Sequence, residues 1–358
     1  MFTFGNNIHL QIFGQSHSQS MGAVLDGFPS GVAIDEEKLA SFMARRAPGR
    51  DEFSTKRKEA DRVEFVSGVV NGSDGIALTS GAPICMIIQN QDTRSGDYDK
   101  LRFVPRPSHA DYPAFVRFGE ARDHRGGGEF SGRLTAPLCA AGFLCMELLR
   151  QKGVEIGAHI SSVGSCEDDR FDPLAPQLHA AQGKPFPVLN DEQGAKMQDV
   201  IRTAREAADS IGGTIECAVT GVPAGAGGTS FGSLEGLLSL AMFAIPAVKG
   251  VEFGSGFDGT RLRGSENNDP YVADGERIVT RSNHAGGILG GLATGMPILF
   301  RVAVKPTASI GQEQESVSLP EKRNVPLQIV GRHDPCIVQR AVPVVEAAAA
   351  VAILDLLL

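Results

Sequence analysis

The sequence predicts a single α+β domain spanning residues 1–358, in which helices and antiparallel strands are combined in one unit. Valine and isoleucine alternate with small residues from 63 to 90, which is typical of an antiparallel hairpin. An apolar run from about Ala136 to Gln151 predicts a long helix. No low-complexity linker divides the chain, so we expect one intertwined domain.

The N-terminal segment reads as two strands between residues 8 and 25, joined by a loop at Gly14–Ser18. Asp35 is placed to cap a helix, because its carboxylate can accept a hydrogen bond from the backbone of the first turn. That helix delivers Arg45 and Arg46 to its C-terminal end. The two arginines either stabilise the helix terminus or belong to a binding site.

Two later loops carry further candidate residues. His109 follows Pro105 and Pro107, which restrict the backbone and would hold the imidazole at a fixed place. The glycine triplet Gly126–Gly128 precedes the apolar helix, where free backbone N–H groups suit a phosphate or an electron-rich ring edge. A plain loop-to-helix junction is the alternative for this triplet.

The second half of the chain contains a weak repeat of the first. Residues 163–195 are polar and contain several prolines, which predicts a surface excursion, and an amphipathic helix follows at about 195–208. The order strand, G-x-P-x-G and capped helix at 217–243 matches that of residues 23–43, which suggests an internal duplication. The apolar tail 341–358 is short of a clean bilayer span, so we interpret it as a buried or subunit-interface helix.

Net charge and cysteine content restrict the kinds of binding partner and the cellular compartment that we expect. The formal net charge of -8 argues against nucleic acid or an anionic membrane, so an anionic ligand must be held by local basic pockets. The six cysteines include no C-x-x-C pair, which predicts reduced thiols in a cytoplasmic protein. The N-terminus lacks the basic and apolar regions of an export signal.

The titratable side chains suggest a site for a polyanionic small molecule. His17 and His109 lie in pinned loops, and a turn before the C-terminal tail places Arg332, His333 and Asp334 side by side. Arginine forks can hold the anion while the imidazoles carry protons. A surface ion pair between Arg332 and Asp334 is the alternative for the turn. No H-x-H or H-E-x-x-H spacing supports a metal site, and none is predicted.

Several of these segments together resemble the chorismate synthase family from end to end. The matching motifs occur in the family's order, and they are Gly14-Gln15-Ser16-His17-Ser18, Arg45-Arg46-Ala47-Pro48-Gly49, Arg106-Pro107-Ser108-His109-Ala110-Asp111, Gly126-Gly127-Gly128 with Ser131-Gly132-Arg133-Leu134-Thr135-Ala136, Ala247-Val248-Lys249-Gly250-Val251-Glu252, Ser282-Asn283-His284-Ala285-Gly286-Gly287, Lys305-Pro306-Thr307, and Gly331-Arg332-His333-Asp334-Pro335-Cys336 with Arg340-Ala341-Val342-Pro343.

The resemblance implies conversion of 5-enolpyruvylshikimate 3-phosphate to chorismate and phosphate, the last step of the shikimate pathway. It also implies reduced FMN as cofactor, with NADPH as a reductant if the protein reduces its own flavin. For the fold, it implies helical layers between two antiparallel sheets and a homotetramer.

The resemblance also implies roles for individual residues. His17 would protonate the phosphate, His109 would lie near the flavin N1–C2 edge, and Asp334 would help the flavin N5 act as base. Arg46 and Arg133 would bind the substrate, with Arg45 a neighbour, and Arg46 would contact NADP in a self-reducing protein. The residues implied for FMN are Ser131, Ala247, Gly290, Lys305, Pro306, Thr307, Ala308, Ser309 and Arg332.

The chain departs from the commoner family pattern at several positions. Glutamate is usual at Gln15, glycine at Ser18 and Ser108, arginine at Glu52, and Arg-Ser-Ser where this chain has residues 129–131. The acidic replacements put negative charge near expected anionic ligands. We expect these side chains to point outward or to alter affinity.

Two other functions remain open at this level. The first is an NAD(P)H-dependent flavin reductase, which is weakened because no Rossmann G-x-G-x-x-G follows a strand. The second is a flavin- or phosphate-binding protein without catalysis, for which two pinned histidines would have no purpose.

Overall fold

Helices and antiparallel sheets are combined in the computed structural model, which describes residues 3–49, 61–73, 75–90, 101–329 and 334–358. The helices are α1 (Glu36–Arg46), α2 (Asp111–Phe118), α3 (Thr135–Gln151), α4 (Asp191–Glu206), α5 (Leu234–Phe243), α6 (Gly264–Asn267) and α7 (Val338–Leu357). The strands are β1 (Thr3–Phe4), β2 (His9–Gly14), β3 (Ser20–Asp26), β4 (Ala33–Ile34), β5 (Glu64–Ser67), β6 (Val69–Asn71), β7 (Ala77–Thr79), β8 (Ile84–Gln89), β9 (Glu155–Val163), β10 (Cys166–Glu167), β11 (Gly213–Thr220), β12 (Val248–Phe253), β13 (Tyr271–Asp274), β14 (Arg277–Thr280), β15 (Ile288–Leu289), β16 (Leu292–Ala293), β17 (Ile298–Val304), β18 (Gln314–Ser318) and β19 (Arg323–Leu327).

Two five-stranded antiparallel sheets form the frame. The first has the strand order β1-β2-β3-β8-β5, and the second has the order β10-β9-β11-β17-β12. Buried side chains on the central strands, such as Met21 and Met86 in the first sheet and Ile160 and Phe300 in the second, face the core. The expected hairpin between residues 63 and 90 is present as β5 paired with β8, and β6 paired with β7.

Helices α3 and α7 connect the two sheets through the core. α3 packs against β3 and β8, α7 packs against β9 and β11, and the two helices pack against each other. Their close approach depends on Gly142, since a Cβ there would lie 2.4 Å from the Cβ of Ala347. One buried hydrophobic cluster consequently extends from Ile8 to Leu354.

Local sequence signals explain several element boundaries. Asp35 caps α1 as expected, accepting a hydrogen bond from the backbone N–H of Lys38 at 2.9 Å. The amphipathic helix α4 begins at Asp191, four residues before the expected 195, because the side chain of Asn190 accepts hydrogen bonds from the first turn. Its end at Glu206 is followed by a left-handed residue, Ala208, with φ of 53°.

Residues 163–195 form the expected surface segment, since most residues between 164 and 185 are exposed. A few buried side chains attach it to the second sheet. Phe171 and Leu178 pack with Ala218 and Leu299 in a hydrophobic cluster separate from the main core. The polar composition therefore predicted the exposure of this segment but not its attachment to the sheet.

The C-terminal tail forms helix α7, which is buried inside the chain over most of its length. Near its end, Asp355 accepts backbone hydrogen bonds from Asn6, Asn7 and Ile8 at 2.7–3.0 Å. Among the described residues, one helical stretch, Gly132–Gln151, has the length and apolar composition of a membrane span, but 89% of its most apolar 18-residue window is buried in the protein. A core helix of a folded domain has the same composition.

Candidate active site

A cavity of about 560 Å³ lies where loops from both sheets meet the ends of α1, α3, α5 and α7. Its position follows from the topology, because each of these loops ends a strand or helix that packs into the core. Small, polar and charged residues make up much of its wall, and two phenylalanines join them. The wall includes Ser16, Arg46, Arg106, Ser108, His109, Gly126, Glu129, Phe130, Ser131, Arg133, Thr135, Phe243, Ala247, Lys249, Lys305, Pro306, Thr307, Ala308, Ser309, Asp334 and Arg340.

The glycine triplet separates the two predicted catalytic histidines. A Cβ on Gly126 would lie 2.8 Å from Cε1 of His17, and one on Gly127 would lie 3.1 Å from Nε2 of His109. All three glycines have positive φ, which a side chain would strain. The backbone N–H of Ser16 donates to the carbonyl of Gly128 at 3.1 Å and ties the His17 loop to the triplet. The two imidazoles therefore lie on either side of one glycine turn.

His109 is held by a buried ion pair. Its Nδ1 lies 2.7 Å from Oδ1 of Asp111, and Nε of Arg106 donates to Oδ2 of the same carboxylate at 2.7 Å. Burial alone would raise the pKa of Asp111, but hydrogen bonds from Arg106 and His109 outweigh it and hold the pKa well below its usual value. NH1 of Arg106 also donates to Oγ of Ser309 at 3.2 Å. Asp111 is thus an ionised partner that orients the imidazole.

Non-glycine residues with left-handed backbone occur beside the cavity. Ser108 has φ of 58°, Ala247 has φ of 74°, and Asp61 has φ of 48°. Such conformations cost about 1 kcal/mol or more and persist where surrounding contacts fix them. At Ser108 the contact is a hydrogen bond from Nζ of Lys305 to the carbonyl oxygen, at 2.8 Å. The positive φ explains why the commoner family pattern has glycine at this position.

Arg46 and Arg133 share one carboxylate, that of Asp61. NH1 of Arg46 donates to Oδ2, and NH1 of Arg133 donates to Oδ1. Burial alone would raise the pKa of Asp61, but the two arginines outweigh it and lower the pKa. Sequence reasoning missed Asp61, because no local pattern marks an aspartate that lies 15 residues from one partner and 72 from the other.

Arg45 points away from the cavity, although it neighbours Arg46. NH1 and NH2 donate to the two carboxylate oxygens of Glu346 on α7 at 2.6 and 2.9 Å. The side chain of Glu346 is fully buried and also accepts from the backbone N–H of Ala158 on β9 at 3.1 Å. The geometry gives Arg45 a place in the core packing, so a contact with substrate remains only a prediction.

Asp334 reaches the cavity next to Arg340, which is partly buried. NH1 of Arg340 donates to Oδ2 of Asp334 at 2.5 Å, and Nε of Arg340 donates to the carbonyl of Arg46 at 3.0 Å. Oγ1 of Thr307 donates to the carbonyl of Asp334 at 3.0 Å. Arg340 was not predicted as a site residue. The residues Arg332, His333 and Glu52 lie outside the described part of the chain.

Most of the residues predicted for FMN line the cavity, and Gly290 does not. Ser131, Ala247 and the run Lys305–Ser309 are part of its wall. Burial, followed by repulsion from Lys249, lowers the pKa of Lys305. Gly290 lies in the exposed turn between β15 and β16.

Two further motif segments have clear positions in the structure. Glu129 and Phe130, which replace Arg and Ser of the commoner pattern, both line the cavity. Of the two alternatives for Glu129, this position favours altered affinity over an outward side chain, and the altered affinity stays a prediction. Asn283, from another of the family motifs, has a structural role. Its amide donates to the carbonyls of Pro173 and Pro297 and accepts from the N–H of Gly287, which fixes the loop.

Comparisons with known proteins agree on one family. The family model described as chorismate synthase matches residues 8–358. A chorismate synthase of Korarchaeum cryptofilum is 44% identical over 353 residues, which is 98% of this chain and 96% of the relative. One of Bacteroides fragilis is 43% identical over 354 residues, covering 99% and 96%. A crystal structure of chorismate synthase superposes with a TM-score of 0.77 at 26% identity, covering 99% of this chain and 92% of that one.

Proposed function

Because this chain belongs to the chorismate synthase family, we propose that it forms chorismate from 5-enolpyruvylshikimate 3-phosphate by 1,4-elimination of phosphate, as an FMN-dependent carbon-oxygen lyase without net redox change. The observation that carries the proposal is the concentration of cations around one cavity in a chain of net charge -8. Arg46, Arg106, Arg133, Arg340 and Lys305 all line it. A substrate with one phosphate and two carboxylates matches that charge.

The cavity also fits a flavin. Its volume of about 560 Å³ falls within the roughly 300–1,000 Å³ of small-molecule sites. The glycine triplet lets the His17 and His109 side chains pack directly against its backbone, and Gly126 forms part of the cavity wall beside them. Ser131, Ala247 and Lys305–Ser309 would hold the cofactor, together with Arg332. Reduced FMN, when bound, would supply the transient electron transfer that removal of a non-acidic ring hydrogen needs.

The protein's own side chains would place the substrate and carry protons. Arg46 and Arg133 would bind its anionic groups, and His17 would donate a proton to the leaving phosphate. Asp111 would keep His109 in one orientation beside the flavin, since the carboxylate accepts from Nδ1. Asp334 would act beside the flavin N5, with its carboxylate held by Arg340.

A flavin reductase is the less favoured function. Arg46, the residue expected to contact NADP, has a side chain only 4% exposed and is paired with Asp61. That arrangement suits a small anion inside the cavity better than a dinucleotide at its mouth. NADPH would then act as an external reductant of the flavin, and only if the protein reduces FMN itself.

The assembly and the architecture are parts of the same proposal. We propose a cytoplasmic homotetramer, supported by exposed apolar side chains on and near α5, including Phe231, Leu240 and Phe243. A single domain with helices layered between two sheets is supported by the packing of α3 and α7 on opposite sheets. An internal duplication is supported by the similar order of β3 with α1 and of β11 with α5.

The decisive experiment is an anaerobic assay of phosphate release. Purified protein is mixed with 5-enolpyruvylshikimate 3-phosphate and chemically reduced FMN, without NAD(P)H. We expect stoichiometric phosphate and chorismate, and a loss of about 100-fold or more in turnover for His17→Ala, because general acid catalysis contributes about 10²–10⁴-fold. His179→Ala, at an exposed position far along the chain, is the matched control. No phosphate release from folded, FMN-bound protein would refute the proposal.

A further inference from the structure

Asp61 is the structural centre of the substrate-binding arginines. Its carboxylate is fully buried, and the side chains of Arg46 and Arg133 are each 4% exposed. Each carboxylate oxygen accepts from a different guanidinium. The guanidinium groups also make longer hydrogen bonds to neutral groups: Nε of Arg46 donates to Oγ1 of Thr135 at 3.2 Å, and Nε of Arg133 donates to Oδ1 of Asn90 at 3.3 Å.

The Asp61 carboxylate offsets the repulsion between the guanidinium groups of Arg46 and Arg133. When two guanidinium groups contact the same carboxylate and water is excluded, they repel each other strongly. One negative charge between them offsets this repulsion and leaves the trio with a net charge of +1. A single carboxylate can therefore fix the spacing of the two cations and still leave the cluster attractive to an anion.

The chain brings the trio together from three elements. Arg46 ends α1, Arg133 lies just before α3, and Asp61 precedes β5. Asp61 adopts the left-handed φ of 48°, a conformation that Asp tolerates better than most residues and that still costs energy. In this conformation the carboxylate lies between the two arginines and accepts a hydrogen bond from each.

We propose that Asp61 is a positioning residue for the reaction, which sets the spacing and charge of Arg46 and Arg133 and thereby places the anionic substrate. This inference rests on the proposed function, because it assigns the two arginines to substrate binding. Asp61 itself needs no contact with the substrate or the reacting atoms. Its loss should therefore weaken substrate binding more than it slows the chemical step.

The first test does not depend on activity. Phenylglyoxal modifies accessible guanidinium groups, and peptide mass spectrometry reports each arginine separately. In the wild type, without ligand, we expect Arg46 and Arg133 to react at least 10-fold more slowly than Arg261, whose side chain is 83% exposed. In Asp61→Asn this protection should fall several-fold. Rapid modification of both arginines in the wild type would overturn the proposal by itself.

The second test separates binding from chemistry. In the anaerobic phosphate-release assay, Asp61→Asn should raise KM by about 10- to 100-fold, as expected for disturbed hydrogen bonds to a charged ligand, while kcat falls less. Glu64→Gln, which neutralises an exposed carboxylate on β5, is the matched control and should leave KM unchanged. If Asp61→Asn does not fold, Asp61→Gly accepts the left-handed backbone without strain and serves both measurements.

The two tests separate a failure of the positioning role of Asp61 from a failure of the proposed function. A wild type that releases no phosphate refutes the lyase proposal, yet the modification rates still show whether Asp61 holds the arginines. A folded Asp61 variant with wild-type protection and wild-type KM refutes the positioning role. An Asp61 variant with a lower kcat and an unchanged KM also refutes the positioning role, because that result assigns Asp61 to the chemical step.

Discussion

Buried carboxylates determine where the arginines of this chain point. Asp61 holds Arg46 and Arg133 at the cavity, whereas Glu346 draws Arg45 into the core. Two adjacent arginines at the end of one helix therefore have different surroundings. The difference comes from helical geometry, because consecutive residues project about 100° apart and face different elements.

Removal of Arg45 should destabilise the fold without weakening substrate binding. Arg45→Met leaves Glu346 buried without its cation, which costs about 3–5 kcal/mol when one member of a buried pair is deleted. We expect a loss of that order in the free energy of unfolding, measured by urea denaturation, and an unchanged KM for 5-enolpyruvylshikimate 3-phosphate.

The double variant Arg45→Met, Glu346→Leu is the matched control for this prediction. It removes both charges, so much of the lost stability should return. A raised KM in a stable Arg45→Met protein would instead restore the predicted substrate contact. An unchanged free energy of unfolding would mean that the ion pair contributes nothing to the fold.

At the scale of elements, the glycine triplet shows what the sequence could and could not reveal. A glycine-rich loop before an apolar helix was visible, and it predicted close approach of a ligand. The triplet does not cap α3, however, because the 3-10 turn Gly132–Leu134 intervenes. Its contact with both histidines could not be foreseen, since His17 and His109 come from loops distant in sequence.

Substitution of Gly126 should damage turnover more than stability. Its φ is 59°, and an added Cβ would lie 2.6 Å from Oγ of Ser16 and 2.8 Å from Cε1 of His17. Gly126→Ala must displace the imidazole. Misplacement by about 1 Å can cost about 100-fold in rate, and we expect a loss of that order in phosphate release.

Gly119 offers a control in which backbone strain acts without a collision. Its φ is also 59°, but its ψ is -137° where that of Gly126 is 13°, so an alanine is strained at least as much there. Nothing lies within 4 Å of an added Cβ at Gly119. Gly119→Ala should therefore lose stability without a comparable loss of turnover per folded molecule. Equal losses of turnover in the two variants would show that backbone strain, and not contact with His17, explains the effect.

Helices and strands could be predicted from the sequence where the residues that specify them lie close together in the chain. The Asp35 cap and the alternation in residues 63–90 gave α1 and its neighbouring strands correctly. Helix α4 begins earlier than the apolar periodicity predicted, because Asn190 caps a polar first turn. The burial of Phe171 and Leu178 depends on the sheet beneath them, which no local pattern describes.

At the scale of the whole molecule, the cavity requires both halves of the chain. Ser16 and His109 belong to loops around the first sheet, while Ala247 directly precedes β12 and Lys305 directly follows β17 in the second. The resemblance of motifs implied these residues, because the motifs occur in this chain in the family's order. The pairing of Asp61 with Arg46 and Arg133 could be assigned only once the long-range packing was known, whereas Asp111 lies only two residues from His109.

A buried cluster of charged residues in the second sheet makes the stability of the fold depend on pH. His159 is fully buried, with Nδ1 3.0 Å from Oδ2 of Asp168 and Nε2 2.9 Å from Oε2 of Glu216. Burial alone would lower the pKa of His159, but the hydrogen bonds with both carboxylates outweigh it and raise the pKa. Glu216 also accepts from the backbone N–H of Phe171, so the cluster fastens the segment that covers the sheet.

A raised histidine pKa makes stability fall as pH rises. The stabilisation by His159 is fully present below its unfolded value, about 6.5, and is lost as pH increases through the higher folded pKa. The lowered pKa of Asp168 acts in the opposite direction, with stability lost as pH falls below about 4.

Because the chain contains no tryptophan, we would follow thermal unfolding by circular dichroism from pH 5 to 9. The wild-type Tm should decline above neutral pH, and His159→Gln should have a lower Tm at pH 6 and a flatter profile above it. His179→Gln, at an exposed histidine beside Glu155, should keep the wild-type slope. A slope that survives in His159→Gln would mean that other groups cause the decline.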